Sequence, residues 1–459
     1  MLILFIAFYL LVTILISFFA SRLIHNSNDF ILAGRQLPLI LNSFALFALW
    51  FGSETIFGAS SEFSQHGFLG VIEDPFGGAL CLLLYGIFFA KPIYKMNLVT
   101  LGDLFRNVYG PRVELISGVF MLLTFLGYIA AQLVALGILF NVTAGISFST
   151  GILISAVIVG FYTLIGGMWA ISLTDFLQSI VIIAGLIWVS IKLGVLGGGF
   201  EKIMASTPDH FFRIIPDGKK IGWLEYFAAW TVIGLGSLPS QDIFQRVNSA
   251  KSVRNAVLSS YLGAGLYLLF AMLPLFIGLA AKNMIPATDL IDQQFILPEI
   301  IKQHTVMPVQ IMFFGALISA IFSTASGAIL APASILSENI IKPLYHGKLT
   351  ERRFLQVLRF SVLIMTVLAT LMAFQRNNIY DLVAQSSILG MVSLLVPMVF
   401  AIYLPKYATS TGALASMVIG LGSWIIFEYV IEIDFPTMLM ALFVSLVSML
   451  GGKLINHKL

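Results

Sequence analysis

The sequence predicts an all-α polytopic membrane protein of about 13 transmembrane helices, and three observations predict it. Of 459 residues, 59% are apolar or aromatic and 10% are charged, against about 25% charged in a soluble domain. Apolar runs of about 20 residues recur from end to end, each long enough to cross hydrocarbon as a helix. The runs are continuous and do not alternate with period two, which excludes a membrane barrel. A helix satisfies its own backbone groups where no water can reach them.

Taken in order, the spans read at 2–22, 39–65, 70–94, 113–141, 148–166, 169–194, 223–247, 255–281, 307–338, 354–374, 380–404, 409–428 and 435–452. The first, MLILFIAFYLLVTILISFFASRL, lacks a basic leading region and a small-residue cleavage site, so it reads as a retained span and not a signal peptide. The single cysteine, Cys81, sits in the apolar third span, so neither a disulfide frame nor a Cys/His metal cluster is expected. The ninth span is long enough to include a cytoplasmic extension.

Charge orients the bundle. With the N-terminus outside, 17 of the 25 Lys and Arg residues fall on the inner side, among them Arg35, Lys91, Arg106, Arg246, Lys251, Lys348, Arg352 and Lys458. The positive-inside rule therefore gives N-out and C-in, in a plasma (inner) membrane. The contrary loop, 197–222, carries Lys202, Arg213, Lys219 and Lys220 and is long enough to be partly structured. No soluble domain is expected before, between or after the spans. The net charge of +3 comes without a basic run or an aromatic-interleaved patch, so no nucleic-acid partner is expected.

Two spans are interrupted. Gly52-Ser53-Glu54-Thr55 breaks the second, and Gly234, Gly236, Ser237, Pro239 and Asp242 break the seventh. The breaks lie five spans apart, as they would if spans 2–6 and 7–11 were inverted copies, and such paired breaks are the best sequence pointer to a transporter binding site. The plainer alternative is that Gly and Pro merely kink packed helices. On the repeat reading, 1–38 holds an extra first span and loop, 39–222 the first repeat and an outer loop, 223–406 the second repeat, and 407–459 two extra spans.

Glu54, Asp74, Asp175 and Asp242 fall within or near apolar spans. Each costs about 2.5–3.5 kcal/mol at a helix centre, so each is expected to face protein or water and to have a partner. Almost no Lys or Arg is expected at membrane depth to pair with them, which favours an external cation; an interhelical hydrogen bond is the alternative for any one of them. In the ninth span, Ser319, Ala320, Ser323, Thr324 and Ser326 offer hydroxyl and carbonyl oxygens, hard ligands for a small hard ion or else a small-residue packing face.

These residues resemble the sodium:solute symporter family over essentially the whole chain. The likeness is carried by FGSETIFGASSEFSQHG in span 2, YTLIGGMWAISLTDFLQ across spans 5 and 6, LPSQDIFQRVNSAKS in span 7 and AIFSTASGAILAPASI in span 9. FFAKP, VTLGDLFRNVYGPR and IFQRVNSAKS resemble the high-affinity choline transporter branch. The resemblance implies a LeuT-like inverted five-helix-repeat fold with extra helices at both ends. It also implies a main Na+ site on the carbonyls of Ala48, Phe51 and Ala320 and the hydroxyls of Ser323 and Thr324. A second Na+ site would fall on Asp175 and Ser326 with Ser323 and Gly327, where Gly327 replaces a hydroxyl residue. For substrate, Trp50 and Tyr128 match aromatics of a quaternary-ammonium cage, whereas Ser240 and Gly78 stand where the branch has further aromatics. The expected substrate wall is Trp50, Glu54, Phe57, Asp74, Tyr128, Gln132, Ser240 and Asp242, with Tyr128 and Gln132 on one helix face.

The function implied is sodium-coupled import of a small organic solute bearing a positive nitrogen (choline-like, an amine or an amino acid) by alternating access. The alternatives are a neutral or anionic solute such as a sugar or carboxylate, or a transporter-like sensor. An enzyme is not expected: His25, His66, His210, His304, His346 and His457 all lie at span ends or in loops, away from the carboxylates. No GxxxxGK[ST] motif supports an ATP-driven pump, and no pore loop supports a channel. The expected partners are the solute, Na+ and membrane lipid.

Overall fold

The computed structural model describes residues 2–218, 222–282, 296–345, 349–375, 378–431 and 433–456. Lys219, Lys220, Lys348 and Lys458, counted above, lie outside them. Helices dominate: α1 (Leu2–Ala20), α2 (Leu39–Trp50), α3 (Ser60–His66), α4 (Gly78–Leu84), α5 (Leu101–Tyr109), α6 (Pro111–Ala144), α7 (Phe148–Leu196), α8 (Trp223–Gly236), α9 (Gln241–Ser249), α10 (Val253–Lys282), α11 (Met307–Ile335), α12 (Glu351–Ala373), α13 (Ile379–Gly390), α14 (Ser410–Tyr429) and α15 (Thr437–Asn456).

The thirteen expected spans do not form thirteen separate long helices. Among the described residues, eight helical stretches are long and apolar enough to cross a membrane, and Leu11–Leu23, Leu39–Trp50 and Thr437–Gly452 are shorter apolar helices. Within α7, Gly167 leaves helical geometry at φ 49° and ψ −153°, a backbone region open to glycine, and the kink parts the fifth span from the sixth. A Cβ there would also lie 2.6 Å from the Phe30 carbonyl. The long loop after α7 is partly structured, with helical turns at Phe200–Ser206 and Asp209–Phe212.

α11 runs through the middle, its most apolar stretch wholly buried, and packs chiefly along α7, with α6, α12, α9 and α2 around it. Outer faces keep Val157, Ile191 and Leu371 exposed, an apolar surface suited to lipid.

One end of the bundle is closed by polar contacts between the start of α2 and the end of α9. Leu37 and Ala250 form a parallel bridge, with Leu37 N–H on the Ser249 carbonyl and Lys251 N–H on the Leu37 carbonyl, both at 2.9 Å. Arg35 donates to Asn248 Oδ1 at 2.7 Å, and Tyr94 donates to the Ala250 carbonyl at 2.9 Å. Asn339 joins this end by donating to Glu114 at 2.9 Å and Asp103 at 3.0 Å.

Candidate functional site

The first break begins where α2 stops at Trp50. Phe51 leaves helical geometry at φ −87°, ψ 64°, and Gly52 N–H turns back to the Trp50 carbonyl at 3.0 Å. The carbonyls of Ala48, Leu49 and Trp50 thereby lose the helical donors four residues on. Apolar surroundings require that such groups find other partners. Each finds a hydroxyl: Thr324 Oγ1 donates to Ala48 at 2.9 Å, Tyr128 Oη to Leu49 at 2.8 Å, and Thr55 Oγ1 lies 3.0 Å from Trp50. The freed Ser53 N–H donates to Gln132 Oε1 at 3.0 Å. Gly52 is needed for space, because a Cβ there would sit 2.7 Å from Glu54 Oε2 and 2.9 Å from both Gln132 Oε1 and Thr324 Cγ2.

The second break is met mostly by local bonds. Ser240 N–H donates to the Ser237 carbonyl at 3.2 Å, and Ser237 and Ser387 hydroxyls pair at 3.1 Å. Asp242 Oδ1 accepts from Ser240 Oγ and from the Ile243 N–H at 2.7 Å, so the carboxylate holds the first turn of α9. A negative group at a helix N-terminus is also favoured by the helix dipole.

Between the breaks lies a cavity of about 50 Å³, walled by Leu49 and Trp50 from the first, Gly236, Ser237, Pro239, Ser240 and Asp242 from the second, Thr124, Phe125 and Tyr128 from α6, and Val383, Ser386, Ser387 and Gly390 from α13. Four expected substrate residues, Trp50, Tyr128, Ser240 and Asp242, are therefore together. Glu54, Phe57, Asp74 and Gln132 are not in that wall. All four are buried outside the cavity wall, beside the first break or packed on it. Gln132 Nε2 donates to Glu54 Oε2 at 2.9 Å, and Tyr128 lies 3.5 Å from Glu54 Oε1, so the face shared by Tyr128 and Gln132 meets Glu54. Asp74 accepts from Tyr267 Oη and lies 3.0 Å from Thr55 Oγ1, whose single proton is shared between this carboxylate and the Trp50 carbonyl. The Trp50 indole N–H has no hydrogen-bond partner among the described residues. Tyr267 and the Ser386–Ser387 pair were not among the expected residues, and Thr55 was expected only as part of the break; polar residues inside apolar runs were the one available signal.

Of the residues expected to hold sodium, Ala48 and Thr324 are brought into contact where α2 meets α11. Ala48, Phe51, Ala320, Ser323 and Thr324 are all fully buried. The Ala48 carbonyl and the Thr324 hydroxyl face each other, and Ser323 Oγ donates its proton to Asp175 Oδ1 at 2.5 Å. A hydroxyl whose proton is so engaged presents only lone pairs to anything else. Hard oxygens in this arrangement suit a small alkali cation.

The expected shortage of cations at membrane depth is corrected here. Arg246, counted above with the inner-side charges, is 1% exposed, and its guanidinium lies 3.4 Å from Asp175 Oδ2. Its position near the end of a span made it look peripheral, and its partner is too distant in sequence for local reading. The Ser326 hydroxyl donates to the Ser323 carbonyl of its own helix at 2.8 Å, with no contact to Asp175 among the described hydrogen bonds. Glu54, Asp74 and Asp242 have no ion-pair partner among the described residues.

Two interrupted helices facing one waist cavity, with buried carboxylates and a hydroxyl–carbonyl junction beside it, define a multi-pass secondary transporter. Comparison with known proteins gives the family. Residues 30–420 match the model of the sodium:solute symporter family. The chain is 30% identical over 432 residues to high-affinity choline transporter 1 of Drosophila melanogaster, covering 90% of this chain and 68% of that one. It is 28% identical to the high-affinity proline transporter PutP of Bacillus subtilis, covering 90% and 89%. A substrate-bound, outward-open Na+-coupled sialic acid symporter superposes with a TM-score of 0.85 at 17% identity, covering 99% and 98%. The nucleobase-cation-symport transporter Mhp1 superposes at 0.66. The chain belongs to the sodium:solute symporter family: it is an integral, multi-pass transporter of the LeuT-like fold, with sodium as its coupling ion.

Proposed function

We propose that this chain imports a small solute bearing a positive nitrogen, by alternating access. The observation that carries the reading is the cavity between the two breaks, where the rings of Trp50 and Tyr128 and the carboxylate of Asp242 share one wall. Each ring contributes about 0.5–2 kcal/mol to holding a cation, and a carboxylate adds charge and accepts hydrogen bonds from an ammonium. The free indole N–H of Trp50 suits an oxygen on the same solute, as in an amino alcohol or an amino acid. Names of relatives support the same class: choline and proline both carry a positive nitrogen and an oxygen function.

A cavity of about 50 Å³ holds one or two waters at about 30 Å³ each and is far below the 300–1,000 Å³ of a drug-sized site. Solute therefore enters as one group of helices rocks against the other about the waist. In this reading the N-terminus is outside, and the end closed by Arg35, Leu37 and Ala250 is cytoplasmic. Sodium binds at Ala48, Phe51, Ala320, Ser323 and Thr324 and favours the solute-competent form. One charge moving through 100 mV supplies about 2.3 kcal/mol, enough to drive uptake without ATP. Phe57 and Gln132 back the wall, and Glu54 and Asp74 set its negative potential from beside the first break.

Proteoliposomes with an inward sodium gradient test this with labelled choline, proline, a sugar and a dicarboxylate. Uptake of choline or proline, lowered more than tenfold in Asp242→Asn and less in Glu54→Gln, is the expected result. Preference for the sugar or dicarboxylate, or unchanged uptake in Asp242→Asn, removes the cationic-solute reading and leaves the family assignment standing.

A further inference from the structure

A second polar cluster lies one residue from the sodium junction on α11, and it already contains a positive charge. Asp175 on α7 is 0% exposed. Its Oδ1 accepts from Ser323, and its Oδ2 faces Arg246 Nη2 at 3.4 Å. Arg246, on α9, also donates from Nε to the Ala45 carbonyl on α2 at 2.9 Å. Gly327, one turn beyond Ser323, completes the enclosure. A Cβ at 327 would sit 2.4 Å from Nη2 and 3.1 Å from both Cζ and Nη1 of Arg246. The guanidinium therefore occupies the space that any side chain at 327 would take.

The second sodium ion expected on Asp175, Ser323, Ser326 and position 327 does not fit this donor set. Gly327 brings no side-chain oxygen, and the Arg246 guanidinium already faces Asp175 Oδ2 and fills the space beside position 327. The charge on a buried carboxylate is stabilised by a nearby positive charge, either a mobile ion or part of the chain. We propose that Arg246 is a tethered cation standing in the second ion position, so that this protein binds one sodium per chain and couples transport to that ion alone. A tethered charge neutralises Asp175 in every state and draws nothing from the sodium gradient. It also ties α2 and α9, each one half of a broken helix, to α7 and α11.

The inference rests on sodium binding at the Ala48–Thr324 junction, and counting ions separates the two claims. Purified protein is saturated with radioactive sodium and the bound ions per chain are measured for the native sequence, for Thr324→Ala, and for Arg246→Ala combined with Gly327→Ser. The expected counts are one, none and two, the last because removing the guanidinium and restoring a hydroxyl opens the position to a mobile ion. Two ions on the native protein overturn the inference and leave the junction intact. One native ion retained in Thr324→Ala also overturns it, since that ion then sits elsewhere. No ion on the native protein sinks the junction and this inference together. If the Arg246/Gly327 variant folds and binds only one, Arg246 is an anchor and not a stand-in ion, and the inference falls. If that variant does not fold, the native count and the Thr324→Ala count decide by the same criteria.

Discussion

Ser323 and Thr324 are neighbours on α11, yet they face two different electrostatic problems. Thr324 meets a carbonyl that a helix break has released, a neutral contact at 2.9 Å that an incoming cation can replace. Ser323 meets Asp175, a full charge already paired with Arg246. The first place offers dipoles without a counter-charge, so it can bind and release an ion. The second is filled by the chain itself. One residue of helical rotation separates an exchangeable position from a fixed one, because side chains about 100° apart on a helix point at different neighbours.

The largest expected effect tests the fixed side. Arg246→Met leaves Asp175 buried without its cation and should destabilise the protein by about 3–5 kcal/mol. Asp175→Asn together with Arg246→Met should recover most of that loss, read by denaturation in detergent. Equal losses in the single and double variants would break the contrast by showing that packing and not charge holds the cluster.

Next comes the exchangeable side. Gly52→Ala drives a methyl to within 2.7–2.9 Å of Glu54, Gln132 and Thr324 and should displace the turn that frees the Ala48 carbonyl. Sodium-driven uptake should fall more than tenfold while far-UV circular dichroism keeps its helical signal. Unchanged uptake would mean that the break does not position the ion site. Thr324→Ala removes one of the oxygens that hold the ion, and sodium-dependent uptake should be lost over the sodium range that saturates the native protein.

The smallest effect is the control. Ser319 Oγ donates within its own helix to the Gly315 carbonyl at 2.7 Å, so Ser319→Ala should leave the sodium dependence unchanged. Ser334 is a poorer control, because it accepts a hydrogen bond from Gln245 at 2.9 Å. A loss of sodium-dependent uptake in Ser319→Ala as large as in Thr324→Ala would show that any hydroxyl lost from α11 acts through packing.

Much of the fold and part of the site can be read along the chain. The apolar runs, the two breaks and the hydroxyl-bearing ninth span are local features, set by hydropathy, by Gly and Pro, and by side-chain type within a few residues. Tyr128 and Gln132 share a face because four residues make about one turn, and both reach Glu54. The partners were not legible. Nothing near Asp74 in sequence points to Tyr267, and nothing near Asp175 points to Arg246, each separated by many tens of residues.

The sequence by itself determined that this is a membrane transporter with two interrupted helices and four carboxylates at or near membrane depth, since the cost of polar groups in hydrocarbon is paid residue by residue. Only the tertiary structure decided which carboxylate meets a fixed cation, which ones are held by neutral donors, and which one borders the cavity. Those outcomes depend on which helices cross at a given depth, and pairing across helices is long-range by nature. Asp175 and Asp242 are alike in the sequence; α9 carries Arg246 to the first and turns the second toward the space between the breaks.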